Sequence, residues 1–151
     1  MNTTDSLLPI TAVSTVVIGA GQAGLASSYC LEQHGVDHVV LERGDIANSW
    51  SDGRWDSLRL LTPRWQTVLP GYRYQGEDPE GFMGKAELVA LLKSYSKQLT
   101  APLYTRTTVL GVYPLDTGYR VVSDRGEWHC RSVILASGAF SEARIPACSA
   151  V

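Results

Sequence analysis

The stretch that decides the fold is VVIGAGQAGLASSYCLEQHGVDHVVLE, residues 16–42. It passes from a β-branched run into closely spaced glycines, then into a helical segment, a second β-branched run and a carboxylate. Residues 15–18, which end at a glycine, are typical of a buried parallel strand, and residues 38–41 repeat that pattern before Glu42. The sequence therefore predicts a strand, a helix and a second parallel strand in one short unit.

The helical segment begins at Gly21, where the period of the apolar residues changes. Gly35 lies where a left-handed residue commonly ends a helix. Small residues next to the turn would let the helix pack closely on the sheet. The face that we expect to be buried comprises Ala23, Ala26, Cys30 and Leu31.

Three glycines form a GxGxxG motif between the first strand and the helix. In such a motif Gly19 allows the tight turn, Gly21 lets the backbone approach a pyrophosphate, and Gly24 lets helix and strand pack closely. The phosphates would contact the amides of Gly21, Gln22 and Ala23, at the positive end of the helix dipole. The motif thus predicts a dinucleotide site at the first turn.

An acid follows the motif at the expected distance. Glu42 lies 18 residues after Gly24 (42 − 24), close to the ~20 typical of the acid that binds an adenosine ribose. The alternative is that the glycines only make a tight turn and that Glu42 is an ordinary solvated acid. The strand-turn-helix context and the spacing favour the nucleotide. Because a carboxylate repels a 2′-phosphate, we expect FAD or NAD rather than NADP at this site.

The bulk composition limits the other possibilities. The 151 residues suffice for a single domain, residues 1–151, and a formal charge of −2 gives no general attraction to nucleic acid or to an anionic membrane. We find no signal peptide and no apolar run long enough to span a bilayer. Three scattered cysteines, Cys30, Cys130 and Cys148, favour a reduced, cytoplasmic setting over a disulfide framework, and we expect Cys30 to be buried. The three histidines lack zinc-ligand spacing, so no metal is expected.

The remainder of the chain predicts a connector, a helix and several strands. Residues 43–82 show no sustained period but hold three tryptophans, so we expect a long, ordered connector. Residues 85–99 place four leucines and a tyrosine at helical spacing. Strand-like segments follow at residues 104–113, 119–123, 128–130 and 132–136. The first three predict a β-meander and the last a separate buried strand. The order predicts an α/β, Rossmann-like domain with a parallel sheet and a β-meander crossover.

Three further segments carry a resemblance to a known family. They are LERGDIANSW (residues 41–50), RWDSLRLLTPRWQTVLPG (residues 54–71) and VILASGAF (residues 133–140). They resemble the ribose-binding Glu with its following Trp, the YDSLRLxTP-type segment along the flavin, and the ATG motif of the flavin-containing monooxygenase-like oxidoreductases, which are two-dinucleotide-domain flavoproteins. Ser137 replaces the threonine of the ATG motif, and Ala47 and Asn48 replace two glycines that usually precede the Trp.

The resemblance implies that the chain is an FAD-binding domain, and it implies where the cofactor is held. The implied contacts are the pyrophosphate at Gly19, Gly21 and Gly24, the AMP ribose at Glu42, the adenine near Arg43 and the main chain of Val109, the ribityl chain or isoalloxazine near Trp50 and Arg59, and closure of the nucleotide site by Gly138. Three of these residues have ordinary alternatives. Trp50 would serve equally as a core aromatic, Arg59 as an ion-pair partner and Val109 as apolar strand filling.

The resemblance also implies what the intact enzyme does. It would be an NAD(P)H-dependent flavin monooxygenase that oxygenates a small organic molecule through a flavin C4a-(hydro)peroxide. No second glycine-rich motif for NADPH follows in these residues, so we expect either a fragment of a longer enzyme or a truncated product, incomplete for catalysis alone. The alternative function is a non-catalytic module that binds FAD or NAD. A disulfide reductase is disfavoured because no CxxC or CxxxxC pair is present.

Overall fold

The computed structural model describes residues 10–139 and residue 145. In chain order its elements are β1 (Ile10–Ile18), α1 (Gln22–Gln33), β2 (His38–Leu41), α2 (Asn48–Ser51), β3 (Arg59–Pro63), β4 (Val68–Leu69), β5 (Tyr72–Arg73), β6 (Phe82–Gly84), α3 (Lys85–Ser96), β7 (Leu103–Tyr104), β8 (Val109–Pro114), β9 (Tyr119–Ser123) and β10 (Glu127–Leu135). A six-stranded sheet has the order β7-β2-β1-β10-β9-β8. Its first four strands run parallel and its last three antiparallel, sharing β10. The α/β fold with a parallel sheet and a β-meander is thereby confirmed.

The two faces of the parallel strands are covered by different layers. Val17 and Val40 point to a helical layer, whereas their chain neighbours Val16 and Val39 point to the meander, because side chains alternate along a strand. The helical layer contributes Leu25, Leu88, Leu92 and Tyr95. The meander contributes Val121, Trp128 and Cys130. The apolar β-branched runs seen in the sequence are therefore buried from both sides, as parallel strands require.

Helix α1 has the expected ends but a different buried face. Gly35 has φ +64°, and the amides of Gly35 and Val36 bond the carbonyls of Glu32 and Leu31, which is a Schellman ending. The buried residues are Gly24, Leu25 and Ser28. Of the predicted face, Leu31 packs against the core and Ala26 is half-buried, but the prediction is wrong for Ala23 and Cys30, which are exposed. Small residues lie on several sides of α1, so the spacing of its apolar residues does not indicate which face is buried. The close approach of Gly24 to the Gly19 carbonyl determines the buried face.

The strand predictions need two corrections. Residues 104–113 are not one strand, because β7 pairs with β2 at one edge of the sheet while β8 pairs with β9 at the other. Residues 128–130 and 132–136 are not two strands, because β10 is continuous and pairs with β1 along its whole length. Its first half also pairs with β9. Among the described residues no strand pairs with the outer side of its second half, and Leu135 is 73% exposed rather than buried.

The connector of residues 43–82 is built from short elements held by side chains. β3 pairs with β6 and β4 with β5 in two small antiparallel ribbons. The Tyr95 hydroxyl of α3 donates to the Pro70 carbonyl at 2.7 Å, and the Tyr29 ring of α1 stacks on Tyr95 with centroids 5.9 Å apart. Arg64 binds Glu87 with two nitrogens and also pairs with Asp78. The order expected from the tryptophan content is thus produced largely by contacts with α3.

Of the helices in the described residues, none is long and apolar enough to cross a membrane.

Candidate functional site

Three parallel strands end at the same edge of the sheet, and the sequence motifs follow those ends. The glycine motif follows β1, Glu42 follows β2, and the segment of residues 136–138 follows β10. The Gly19 amide donates to the Leu41 carbonyl at 2.8 Å, and the Ala136 amide donates to the Ile18 carbonyl at 2.8 Å. Ligands of open α/β sheets bind at the carboxyl ends of the strands. This edge is therefore the candidate nucleotide site.

The three motif positions differ in whether the surrounding structure requires a glycine. Gly19 has φ +111°, and a Cβ there would collide with the Ala136 carbonyl. A Cβ at Gly24 would collide with the Gly19 carbonyl. Gly21 differs from both, because it has φ −84° and a Cβ added to it meets no atom within 4 Å. Nothing in the described protein requires a glycine at 21, so the space above it is free for a ligand.

The N-terminus of α1 opens onto that space. Gly21 caps the helix without a side-chain hydrogen bond, and the first turn holds no acidic residue. The first amides of a helix have no intrahelical partner, and they carry the positive end of the helix dipole. Gln22 and Ala23 are both exposed. Gly21, Gln22 and Ala23 thus offer an uncapped set of donors of the kind that binds phosphate.

Glu42 contacts the glycine loop through one carboxylate oxygen and the turn after β2 through the other. Its Oε2 accepts the Ala20 amide at 2.7 Å, and its Oε1 accepts the Gly44 amide at 2.8 Å. A carboxylate offers about four acceptor sites, so two sites remain after these bonds. That remaining capacity suits the two hydroxyls of a ribose. The side chain is half-buried, as a group that faces both the loop and a ligand must be.

The turn before Trp50 adopts a conformation that usually belongs to glycine. Ala47 has φ +62° and is fully buried, and its amide donates to the Ala20 carbonyl at 3.1 Å. The backbone turn is thus made without the glycines typical of the family. Trp50 is half-buried against the helical core, with the Arg54 guanidinium 5.4 Å from its ring centre. Its position as a core aromatic is clear from this packing, and its contact with a flavin stays a prediction.

Val109 and Gly138 lie close in the chain to residues that touch the loop. The Thr107 amide donates to the Glu42 carbonyl at 2.8 Å, which brings the start of β8 beside Glu42. Val109 itself is half-buried against the meander core. Gly138 has φ +77° and a Cβ there would meet no atom, so it also borders open space. Phe140, the last residue of the ATG-like segment, lies outside the described residues.

Arg43 and Arg59 are both exposed. Arg59 donates to the Phe82 carbonyl at 3.2 Å, and it lines a separate cleft of about 390 Å³ at the start of α3. In that cleft Lys85 binds the Asp56 carboxylate at 2.7 Å, and this hydrogen bond lowers the pKa of Asp56. Among the described contacts, none joins Arg59 to the glycine loop, so its approach to a flavin stays a prediction.

Sequence reasoning missed the main-chain groups that organise the site. The amides of Ala20, Gly44 and Thr107 and the left-handed backbone of Ala47 hold the loop to its neighbours. Amides carry no side-chain signature, so no residue type marks them. One signal was available, since the departure from two glycines at Ala47 and Asn48 pointed to an unusual turn.

Comparison with known proteins agrees with this geometry. The family model "Pyridine nucleotide-disulphide oxidoreductase" matches residues 16–150. The uncharacterized oxidoreductase CzcO of Bacillus subtilis is 38% identical over 136 residues, which cover 89% of this chain and 39% of the relative. The probable indole-3-pyruvate monooxygenase YUCCA1 of Arabidopsis thaliana is 33% identical over 150 residues, covering 96% of this chain and 36% of the relative.

A solved structure shows the same arrangement. The flavin-containing monooxygenase from Stenotrophomonas maltophilia superposes with a TM-score of 0.81 at 32% identity, over 90% of this chain and 41% of that one. The chain thus spans about two fifths of the length of these relatives. Because the family model covers the glycine loop, Glu42 and nearly all the rest of the sequence, the chain belongs to the pyridine nucleotide-disulphide oxidoreductase family.

Proposed function

We propose that this chain is the FAD-binding part of an NAD(P)H-dependent flavin monooxygenase or oxidoreductase that acts on a small organic substrate. The observation that carries the proposal is the open space above Gly21 at the uncapped start of α1, with the Glu42 carboxylate bound to the amide of the preceding residue, Ala20. A pyrophosphate matches the helix amides, and a ribose diol matches the acid. Because a similar solved structure is a flavin-containing monooxygenase, we assign this dinucleotide as FAD.

The residues present fit such a cofactor. The amides of Gly21, Gln22 and Ala23 would bind the pyrophosphate, and Glu42 would bind the AMP ribose. We assign the adenine end to Arg43 and the main chain of Val109, and closure of the site to Gly138. Trp50 and Arg59 are assigned to the ribityl chain or the isoalloxazine. When bound, FAD supplies the electron transfer, and this chain supplies its placement.

The activity of the intact enzyme reaches beyond these residues. Oxygen transfer, the substrate and the NAD(P)H site are proposals for the longer protein, since the relatives are about two and a half times as long as the matched segment. CzcO and YUCCA1 carry oxidoreductase and monooxygenase names respectively, which supports this class of reaction. We propose the cytoplasm as the location, from the cysteine usage described above.

The test compares two glycines that share one backbone geometry. Gly21 has φ −84° and ψ −168° before α1, and Gly84 has φ −79° and ψ 166° before α3. A Cβ meets no atom within 4 Å at either position. Both Gly21→Ala and Gly84→Ala are therefore expected to fold. FAD binding, followed by flavin fluorescence and by thermal stabilisation, should fall at least tenfold in Gly21→Ala only, because its methyl group occupies the phosphate space.

Two outcomes would contradict the proposal. Wild-type protein that fails to bind FAD would refute the cofactor assignment, and binding of NAD or AMP in its place would favour the non-catalytic module. Equal FAD affinity of the two alanine variants would show that the pyrophosphate does not bind at the N-terminus of α1.

A further inference from the structure

We infer that Glu42 is a positioning residue for the phosphate-binding loop as well as a ribose ligand. This inference rests on the proposed function of the site. Its two carboxylate oxygens already hold the amides of Ala20 and Gly44 at 2.7 and 2.8 Å in the protein by itself. The acid therefore joins the glycine loop to the β2–α2 turn through bonds that need no nucleotide.

The two peptide units that meet at Ala20 are both held by hydrogen bonds. Its amide donates to Glu42, and its carbonyl accepts the Ala47 amide at 3.1 Å. Ala20 is fully buried and is the residue directly before Gly21. The Glu42 bond fixes the Gly19–Ala20 peptide unit, and the Ala47 bond fixes the planar Ala20–Gly21 unit that carries the Gly21 amide, so both units before the phosphate space are held. Glu42 thus acts on the pyrophosphate through the loop.

The main chain of Glu42 makes the arrangement rigid. Its amide donates to the Tyr104 carbonyl at 2.9 Å, and its carbonyl accepts the Thr107 amide at 2.8 Å. The residue is therefore anchored at the end of β2 by two further bonds. A carboxylate held this firmly can define the loop conformation before a ligand arrives, which reduces the ordering cost of binding.

A glutamine cannot replace this carboxylate. The isosteric Glu42→Gln side chain has one acceptor oxygen, so its NH2 group would face either the Ala20 or the Gly44 amide, donor against donor. A hydrogen bond to a charged group is also stronger than one to a neutral amide. The substitution should loosen the loop even where no ribose hydroxyl is present.

The decisive experiment removes the hydroxyls from the ligand. ADP and 2′,3′-dideoxy-ADP are titrated into wild-type protein and into Glu42→Gln by calorimetry, after circular dichroism and thermal melting have shown that the variant is folded. For a positioning residue, Glu42→Gln weakens dideoxy-ADP at least tenfold, although that ligand has no diol to bind. If the two proteins bind dideoxy-ADP equally and differ only for ADP, Glu42 is a ribose ligand alone and the inference is wrong.

A measurement on the ligand-free wild-type protein keeps the inference testable if the variant unfolds. Amide hydrogen exchange of Ala20 and Gly44 should be slowed at least tenfold relative to an unstructured peptide, because both amides are hydrogen-bonded without a nucleotide. Exchange at the unstructured rate would overturn the inference. This result does not depend on nucleotide binding, so it separates a failure of the loop assignment from a failure of the proposed FAD site.

Discussion

At the scale of single residues, the site depends on backbone conformations that the residue types predict only in part. Gly19 and Gly24 are required by packing inside the protein, whereas Gly21 borders open space. Ala47 takes a left-handed conformation with a methyl group in place, which costs an L-residue about 1–2 kcal/mol. The hydrogen bond from the Ala47 amide to the Ala20 carbonyl offsets part of this cost.

The strain at Ala47 predicts a difference between two buried alanines. Ala47 and Ala20 are both fully buried, but only Ala47 has a positive φ. Each change to glycine loses a buried methyl group and adds freedom to the unfolded chain, while Ala47→Gly also relieves strain. We expect Ala47→Gly to reduce the free energy of unfolding in urea by about 1–2 kcal/mol less than Ala20→Gly does. Equal losses would show that the turn is unstrained.

At the scale of elements, α1 and β2 are joined by a buried polar pair. His38 Nδ1 lies 2.8 Å from the Val36 carbonyl, which can only accept, so this nitrogen carries the proton. Nε2 then accepts the Ser28 hydroxyl at 2.7 Å. Both side chains are buried, with His38 3% exposed. The pair fixes α1, whose N-terminal amides border the candidate site, to the strand that precedes Glu42.

Removing this hydroxyl should destabilise the fold. Ser28→Ala leaves the His38 Nε2 buried without a donor, which costs about 1–3 kcal/mol. Ser27, the adjacent residue on α1, is half-buried and lines an open groove, so Ser27→Ala should change the stability by less than about 0.5 kcal/mol. Urea unfolding of both variants measures the difference. A loss in Ser28→Ala no larger than that in Ser27→Ala would show that the pair contributes nothing.

At the scale of the whole molecule, Tyr95 joins the helices to the connector. Its ring is 1% exposed, it stacks on Tyr29 of α1, and its hydroxyl donates to Pro70. Burial raises the pKa of Tyr95 from the ordinary tyrosine value of 10.0 to about 12. Between these two values the unfolded chain has released a proton that the folded chain keeps, so stability falls as the pH rises.

The alkaline limb of stability should therefore depend on Tyr95. The contribution is fully present below pH 10, and about 2–3 kcal/mol of it is lost by pH 12. Tyr95→Phe should lower the free energy of unfolding near pH 8 by about 1 kcal/mol, through the lost bond to Pro70, and should then decline less steeply between pH 10 and 12. Some decline will persist, because burial also raises the pKa of Tyr72. If the free energy of unfolding, measured with urea, declines equally steeply between pH 10 and 12 in the wild-type protein and in Tyr95→Phe, Tyr95 is not the cause of the decline.

The local sequence by itself determined the unit that makes the site. Glycine spacing, the β-branched runs and the terminal acid predicted the second half of β1, α1, β2 and their order, because these depend on turn geometry and periodicity within a short stretch, whereas the start of β1 at Ile10 was not predicted. The left-handed Gly35 and the buried leucines of α3 followed in the same way. Such features are local, so a chain segment contains all the information that they need.

Only the tertiary structure decided which distant segments meet. The separation of β7 from β8, the continuity of β10, the buried face of α1 and the exposure of Cys30 all depend on long-range strand pairing and on the close approach of Gly24 to the turn. The bonds of Glu42 to Ala20 and Gly44 likewise involve amides, which every residue type except proline possesses. Sequence periodicity does not predict such contacts, because main-chain donors are the same along the chain. Only the fold determines which of them come together.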